Sequence, residues 1–187
     1  MTKNNAAPSR HIITALVQDK PGVLNRISSM FRRRGFNIAS LAVGHSEDPE
    51  LSRMTFVVEG GDDVVEQVTK NLHKLIDVIK VSDISNENII SRELALIRVK
   101  VDIKNRIEVM QIADIFRANI VDLSSDSLIV EVTGDEDKVD SMHELLKSFG
   151  VLEVMRTGTI ALNRGSGTKI ARNRSGKPAS WGEASSV

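Results

Sequence analysis

Twice along this chain the same succession of apolar patterns appears, and that repetition restricts its possible folds more than any other feature. Residues 11–18 (HIITALVQ) are apolar and β-branched, the profile of a strand buried on both faces. Asp19-Lys20-Pro21-Gly22 then turns the chain. Val23, Leu24, Ile27, Met30 and Phe31 follow at helical spacing, with Arg32, Arg33 and Arg34 in the last turn and Gly35 as the stop. The basic triplet suits the negative end of a helix dipole. Residues 36–43 and 54–58 read as two further strands. Beyond Gly60-Gly61, Asp63 and Glu66 have the spacing of an acidic capping box, and Val65, Val68, Leu72 and Leu75 form one apolar stripe running to Asp77. Residues 78–84 supply a fourth strand.

The polar stretch 85–91 reads as a linker, after which the order returns. Residues 94–101 form a strand, 107–116 a helix, and 120–123 and 128–132 two strands around the turn Ser124-Ser125-Asp126-Ser127. Val139, Met142, Leu145, Leu146 and Phe149 mark a helix stopped by Gly150, and 151–155 is the closing strand. Asn119-Ile120 falls 82 positions after Asn37-Ile38, while the closing strands are offset by 73, so the second hairpin is nine residues shorter. Two βαββαβ units imply an α+β protein of two tandem ferredoxin-like domains, each an antiparallel sheet with its helices on one face. The expected boundaries are 10–85, a linker 86–91, 92–164, and a Gly-, Ser- and basic-rich flexible tail 165–187 carrying the lone Trp181.

This pattern raises a question of covering. In the first strand Ile13, Ala15 and Val17 alternate with Ile12, Thr14 and Leu16, so neither face is polar. Two helices cover one face only, and the other must meet a partner sheet, another subunit or the second domain. Homodimerisation is expected on that ground.

The inventory for catalysis is short. There is no Cys, which excludes thiolate nucleophiles and thiolate metal sites. His11, His45, His73 and His143 have no ligand spacing, and surface or strand-end roles are expected for them. Asp62-Asp63 and Asp135-Glu136-Asp137 sit at expected helix N-termini, where they cap and complement the dipole. No nucleophile elbow, P-loop or dinucleotide fingerprint is present. No catalytic and no metal-binding residue is therefore assigned. Lys+Arg and Asp+Glu are both 25, so charge gives no reason to expect nucleic acid or an anionic membrane as partner. The short polar start is no secretory signal and no apolar run spans a bilayer, so a soluble, cytoplasmic protein is expected.

The loop 19–24 is more informative. Pro21 presets φ for a helix start, Gly22 permits close backbone approach, and the N–H groups of Gly22, Val23 and Leu24 are expected to be free at a positive helix end. Such a site suits a carboxylate. Asp19 beside it suits an ammonium group, and the Asn37 amide can donate and accept. The same residues are also an ordinary turn and cap. The second unit is a control: at equivalent positions it has Val101, Asp102, Ile103 and Lys104, with no Pro-Gly.

Across 19–60 (DKPGVLNRISSMFRRRGFNIASLAVGHSEDPELSRMTFVVEG), with PGVLNRI, RRRGFNIASL and LSRMTFVV as its distinctive blocks, the sequence resembles the small regulatory subunit of acetohydroxyacid (acetolactate) synthase. HKLIDVIKV at 73–81 and RELALIRVKV at 92–101 extend the likeness over about 10–164. The resemblance implies that the first domain is of the ACT type, an amino-acid sensor that dimerises side by side. It implies valine as effector at the dimer interface, contacted by Asp19, Gly22, Val23, Leu24, Asn37 and Ile38, with the loop from one subunit and Asn37 and Ile38 from the other. Many bacterial members of the family carry Asn at the position of Asp19. The implied partner is a catalytic subunit holding thiamine diphosphate, magnesium and FAD, none of which is expected to bind here. The implied role is to activate that partner and transmit feedback inhibition.

Two other classes compete. RNA-recognition modules share the element order but need aromatics on their central strands, and this chain has 3% aromatics and none in its first strand. A free-standing ACT-type sensor acting on another enzyme or on transcription shares the loop. The LSRMTFVV block and the second domain favour the synthase subunit over it.

Overall fold

A computed structural model of the chain describes residues 10–165. The first residues and the tail with Trp181 lie outside them. Contacts divide the chain into two units, one holding 10–90 together with 161–165, the other 91–160.

The first unit contains β1 (Arg10–Gln18), α1 (Val23–Arg34), β2 (Ile38–His45), β3 (Leu51–Glu59), α2 (Asp62–Leu72) and β4 (Val78–Asp83). Its sheet is antiparallel in the order β2-β3-β1-β4. Ile13, Ala15 and Val17 of β1 point into a core with Ile27 and Phe31 of α1, Phe56 of β3, and Val68 and Leu72 of α2. Phe31 and Phe56 stack with ring centroids 5.3 Å apart, and Phe36 meets Phe31 edge-on at 6.3 Å.

The second unit repeats the plan, so the α+β, tandem ferredoxin-like reading is what the structure has. Its elements are β5 (Ile89–Lys100), α3 (Arg106–Ile115), β6 (Asn119–Leu123), β7 (Ser127–Gly134), α4 (Glu136–Leu146), a 3-10 turn (Lys147–Phe149) and β8 (Val151–Arg156), in the order β6-β7-β5-β8. The division between units falls inside β5. Ala95, Ile97 and Val99 meet Leu128, Val130 and Val132 under Val109, Val139, Met142 and Leu146.

Several local expectations are corrected. Gly35 does stop α1, in the left-handed region at φ 70°, but Phe36 is spent on that cap. The Phe36 N–H bonds the Phe31 carbonyl at 3.1 Å, the longer bond of a Schellman motif, so β2 starts two residues later than expected. The capping box at Asp63 does not form. Gly61 occupies the N-cap without a side-chain bond, and Glu66 instead pairs with Lys70 one turn on at 2.5 Å. Asp135 does cap, accepting from the Lys138 N–H at 3.0 Å. β5 begins at Ile89, inside the stretch read as linker, because it pairs with a ninth strand that the sequence pattern did not announce, β9 (Ile160–Asn163). The Arg164 N–H donates to the Asn88 carbonyl at 2.8 Å.

The sheet face turned away from α1 and α2 is also covered more than its pattern suggests. Leu16 and Val57 are each 3% exposed there. Ala161, Leu162, Asn163 and Gly165 of the same unit line a cavity with Thr14 and Leu16, so the chain supplies part of this cover itself.

Phe56 is fully buried and stacked, so Phe56→Ala should lower the unfolding free energy by about 3–5 kcal/mol in a urea titration. A loss below about 1 kcal/mol would contradict the packing described.

Candidate functional site

The loop between β1 and α1 is built by one turn. Gly22 has φ 88° and ψ −9°, and the Val23 N–H donates to the Lys20 carbonyl at 3.3 Å. With Pro21 before it, this is a type II turn, whose third residue needs positive φ and so selects glycine. The Gly22 carbonyl accepts the first helical bond from Arg26 at 3.0 Å. The loop is anchored from the side by the Asp19 N–H, bonded to the Glu50 carbonyl at 2.8 Å.

This geometry revises which amides are free. Val23, expected to be open, is occupied by the turn. The N–H groups of Gly22, Leu24 and Asn25 find no acceptor among the described residues, and the N-cap has no side-chain bond. A Cβ built on Gly22 meets nothing within 4 Å, so the space beside the turn is open. Of the four described α-helices, α1 alone has no acidic residue in its first turn. No acidic residue of its own first turn offsets its positive end.

The equivalent loop of the second unit is closed by its own side chains. Asp102 Oδ1 accepts from the N–H groups of Lys104 at 2.8 Å and Asn105 at 3.0 Å, and Asn105 Oδ1 accepts from the Asp102 N–H at 2.7 Å. Those two amide bonds, Asn105 first, hold the Asp102 carboxyl below its ordinary value. A carboxylate therefore already sits on the loop of the second unit, and that of the first unit offers amides with no such group.

Asp19 has a neighbour that sequence reasoning missed. His45 Nδ1, at the end of β2, lies 3.1 Å from Asp19 Oδ2, with the imidazole largely in solvent and the Asp19 side chain 40% exposed. Only the registers reveal it: Gln18 faces Leu51 while His45 faces Ser52 across β3. Asn37 is exposed and Ile38 half-buried against the core. Both lie at the far end of the sheet. Ile38 pairs with Val58, whereas Gln18 pairs with Leu51, a separation of roughly 23 Å along β3 at the usual strand rise. One protomer thus brings together Asp19, Gly22, Val23, Leu24 and His45, but not Asn37 and Ile38. Among the described residues no group of three or more His, Cys, Asp or Glu is placed to hold a metal, and no described helix is long and apolar enough to cross a membrane.

Fold and loop together define a tandem ferredoxin-like protein whose first unit is an ACT domain. Residues 13–80 match the model of the AHAS small subunit-like ACT domain, and 92–165 that of the small subunit of acetolactate synthase. A probable acetolactate synthase small subunit of Archaeoglobus fulgidus is 56% identical over 156 residues, covering 83% of this chain and 98% of that one. The acetolactate synthase small subunit of Bacillus subtilis is 48% identical over 166 residues, 88% and 96% of the two chains. The crystal structure of the Thermotoga maritima small subunit superposes with a TM-score of 0.78 at 42% identity, covering 84% of this chain and 99% of that one. The chain belongs to the family of acetolactate synthase small subunits.

The Asp102 carboxyl is lowered by folding, so its contribution is complete above the ordinary value of 3.8 and is lost as pH falls through the lower folded value. Asp102→Ala should lower the melting temperature at pH 7, and the gap to the parent should close as pH falls below 3.8. A gap that persists unchanged in acid would show that the carboxylate is not what closes this loop.

Proposed function

We propose that the chain is the regulatory subunit of a cytoplasmic acetohydroxyacid synthase, without catalysis of its own. In this reading it activates the catalytic subunit and passes on feedback inhibition by valine. Thiamine diphosphate, magnesium and FAD belong to the catalytic subunit, to which membership of the small-subunit family ties this chain.

The observation that carries the reading is the open amide set at the start of α1, next to the Asp19 carboxylate. An α-amino acid is the ligand whose two charges fit that pair: its carboxylate takes the N–H groups of Gly22 and Leu24, and its ammonium meets Asp19. Val23 is buried with its N–H spent on the turn, while Leu24, 47% exposed, offers apolar surface to a side chain. The ammonium shares Asp19 with His45, whose Nδ1 lies 3.1 Å from Oδ2.

Asn37 and Ile38 complete the site from a second copy. β2 is an edge strand of small and apolar residues (IASLAVGH) without Lys or Pro to block pairing. If two copies pair antiparallel along β2, the start of one strand meets the end of the other. The partner's Asn37 and Ile38 then arrive beside His45 and the 19–24 loop. The separation found within one protomer is what such a shared site requires, and it supports a homodimer through the ACT domain.

For the catalytic subunit, the second unit offers an apolar surface. Val109 and Ala113 of α3 fill the core, yet Ile107 and Ile115 of the same helix are 66% and 78% exposed. Nearby Val121 and Leu123 of β6 are each 53% exposed. An apolar helix with only one covered face calls for a partner.

Isothermal titration with valine tests the effector reading. Saturable binding is expected, falling at least tenfold in Gly22→Asp, which puts a carboxylate where the ligand's should lie. Asp enters the left-handed region more readily than most residues, so the variant should fold. Unchanged affinity in the variant, or no heat with valine, leucine or isoleucine, would remove the effector from this loop.

A further inference from the structure

The cavity on the outer face of the first sheet, about 360 Å3, is separate from the effector loop and uses none of its residues. Its base is set by register. Leu16 of β1 pairs with Arg53 of β3 on one side and Lys80 of β4 on the other, so the two cations flank it in one cross-strand row. Neighbouring strands are about 4.8 Å apart, which puts the stems of the two cations roughly 10 Å from each other. The next row carries hydroxyls, Thr14 opposite Ser82. Asn163 and its neighbours in the 161–165 segment form the wall.

Two features of this lining are incomplete. Lys80 is half-buried and makes no ion pair among the described residues. Arg53 does pair with Glu47, at 3.1 Å, but that carboxylate is 56% exposed, the kind of surface pair that another anion readily replaces. Asn163 donates its Nδ2 to Glu87, which fixes the amide's orientation and leaves Oδ1 shielded from solvent with no donor among the described residues. A shielded acceptor without a donor is costly, and such atoms are rare in folded proteins. Counted over the described lining, which includes Glu47, the cavity is short of one negative charge and one hydrogen-bond donor, and its size is that of a small metabolite site.

We propose that this cavity binds a small hydroxylated organic anion, its phosphate or carboxylate held between Lys80 and Arg53 and a hydroxyl donating to Asn163 Oδ1. The block LSRMTFVV, which the effector loop leaves unexplained, contributes Arg53 to this second site.

The test is isothermal titration of the full chain with glycerol 3-phosphate and with glycerate, using glycerol and inorganic phosphate as partial probes. One of the two hydroxylated anions should bind saturably, and which of them does so distinguishes phosphate from carboxylate. Glycerol should give no heat, phosphate alone should bind more weakly, and Lys80→Met should reduce affinity at least tenfold. A second readout uses the unaltered chain: the bound anion should slow acetylation of Lys80, followed by mass spectrometry, several-fold while exposed Lys104 reacts at its original rate. No saturable binding of either anion, or binding that leaves Lys80 unprotected, overturns the proposal.

Discussion

At Gly22 the backbone holds φ 88°, and the type II turn it completes fixes where α1 begins. From that one conformation follow the Val23 amide drawn into the turn, the amides of Gly22, Leu24 and Asn25 left without acceptors among the described residues, and the open space beside the glycine. The second unit shows that the fold does not demand this. There Asp102 bends back onto the same kind of helix entrance and satisfies two amides from within the chain. Two units of the same topology therefore differ at the place where one is self-sufficient and the other is not.

The second constraint is distance. A strand of β2's length keeps Asn37 and the 19–24 loop at opposite ends of the sheet, and no side-chain movement spans such a gap. A ligand that needs both must sit between copies. This gives regulation a direct physical route, because a molecule bridging two subunits biases their relative orientation by its differential affinity for the two arrangements. Coupling energies of about 1–3 kcal/mol are typical of such linkage. In the proposed reading, the exposed apolar residues of α3 and β6 are where a larger partner senses that bias.

Much of this was legible in the sequence because it depends on local chemistry. Gly35 after Arg34 stops a helix wherever it stands, Pro21-Gly22 specifies a turn, and alternating Ile13, Ala15 and Val17 mark a core face. The repeat of Asn37-Ile38 at Asn119-Ile120 gave the duplication. What escaped depends on pairing across long separations. β9 is four residues long, and its pairing with β5 brought the start of that strand forward to Ile89. The contact of His45 with Asp19 exists only because β1 and β2 flank β3 in one register. Val23 was misread because a free helix N-terminus and a turn compete for the same amide, and sequence alone does not say which takes it. Asp63 failed as a cap because Gly61 had already set the helix start, leaving Asp63 inside the first turn.

The claim on which the account turns is that one effector site is made from two copies of this chain. Complementation tests it directly. Gly22→Asp removes the loop half and Asn37→Leu the other half, and neither homodimer should bind valine. When differently tagged forms of the two are unfolded together and refolded, half of the randomly formed dimers are mixed, and each holds one intact site. Valine binding should return to about a quarter of the wild-type site number, as two-fold symmetry requires. Mixed dimers that are recovered by their two tags yet bind no valine would contradict the shared site.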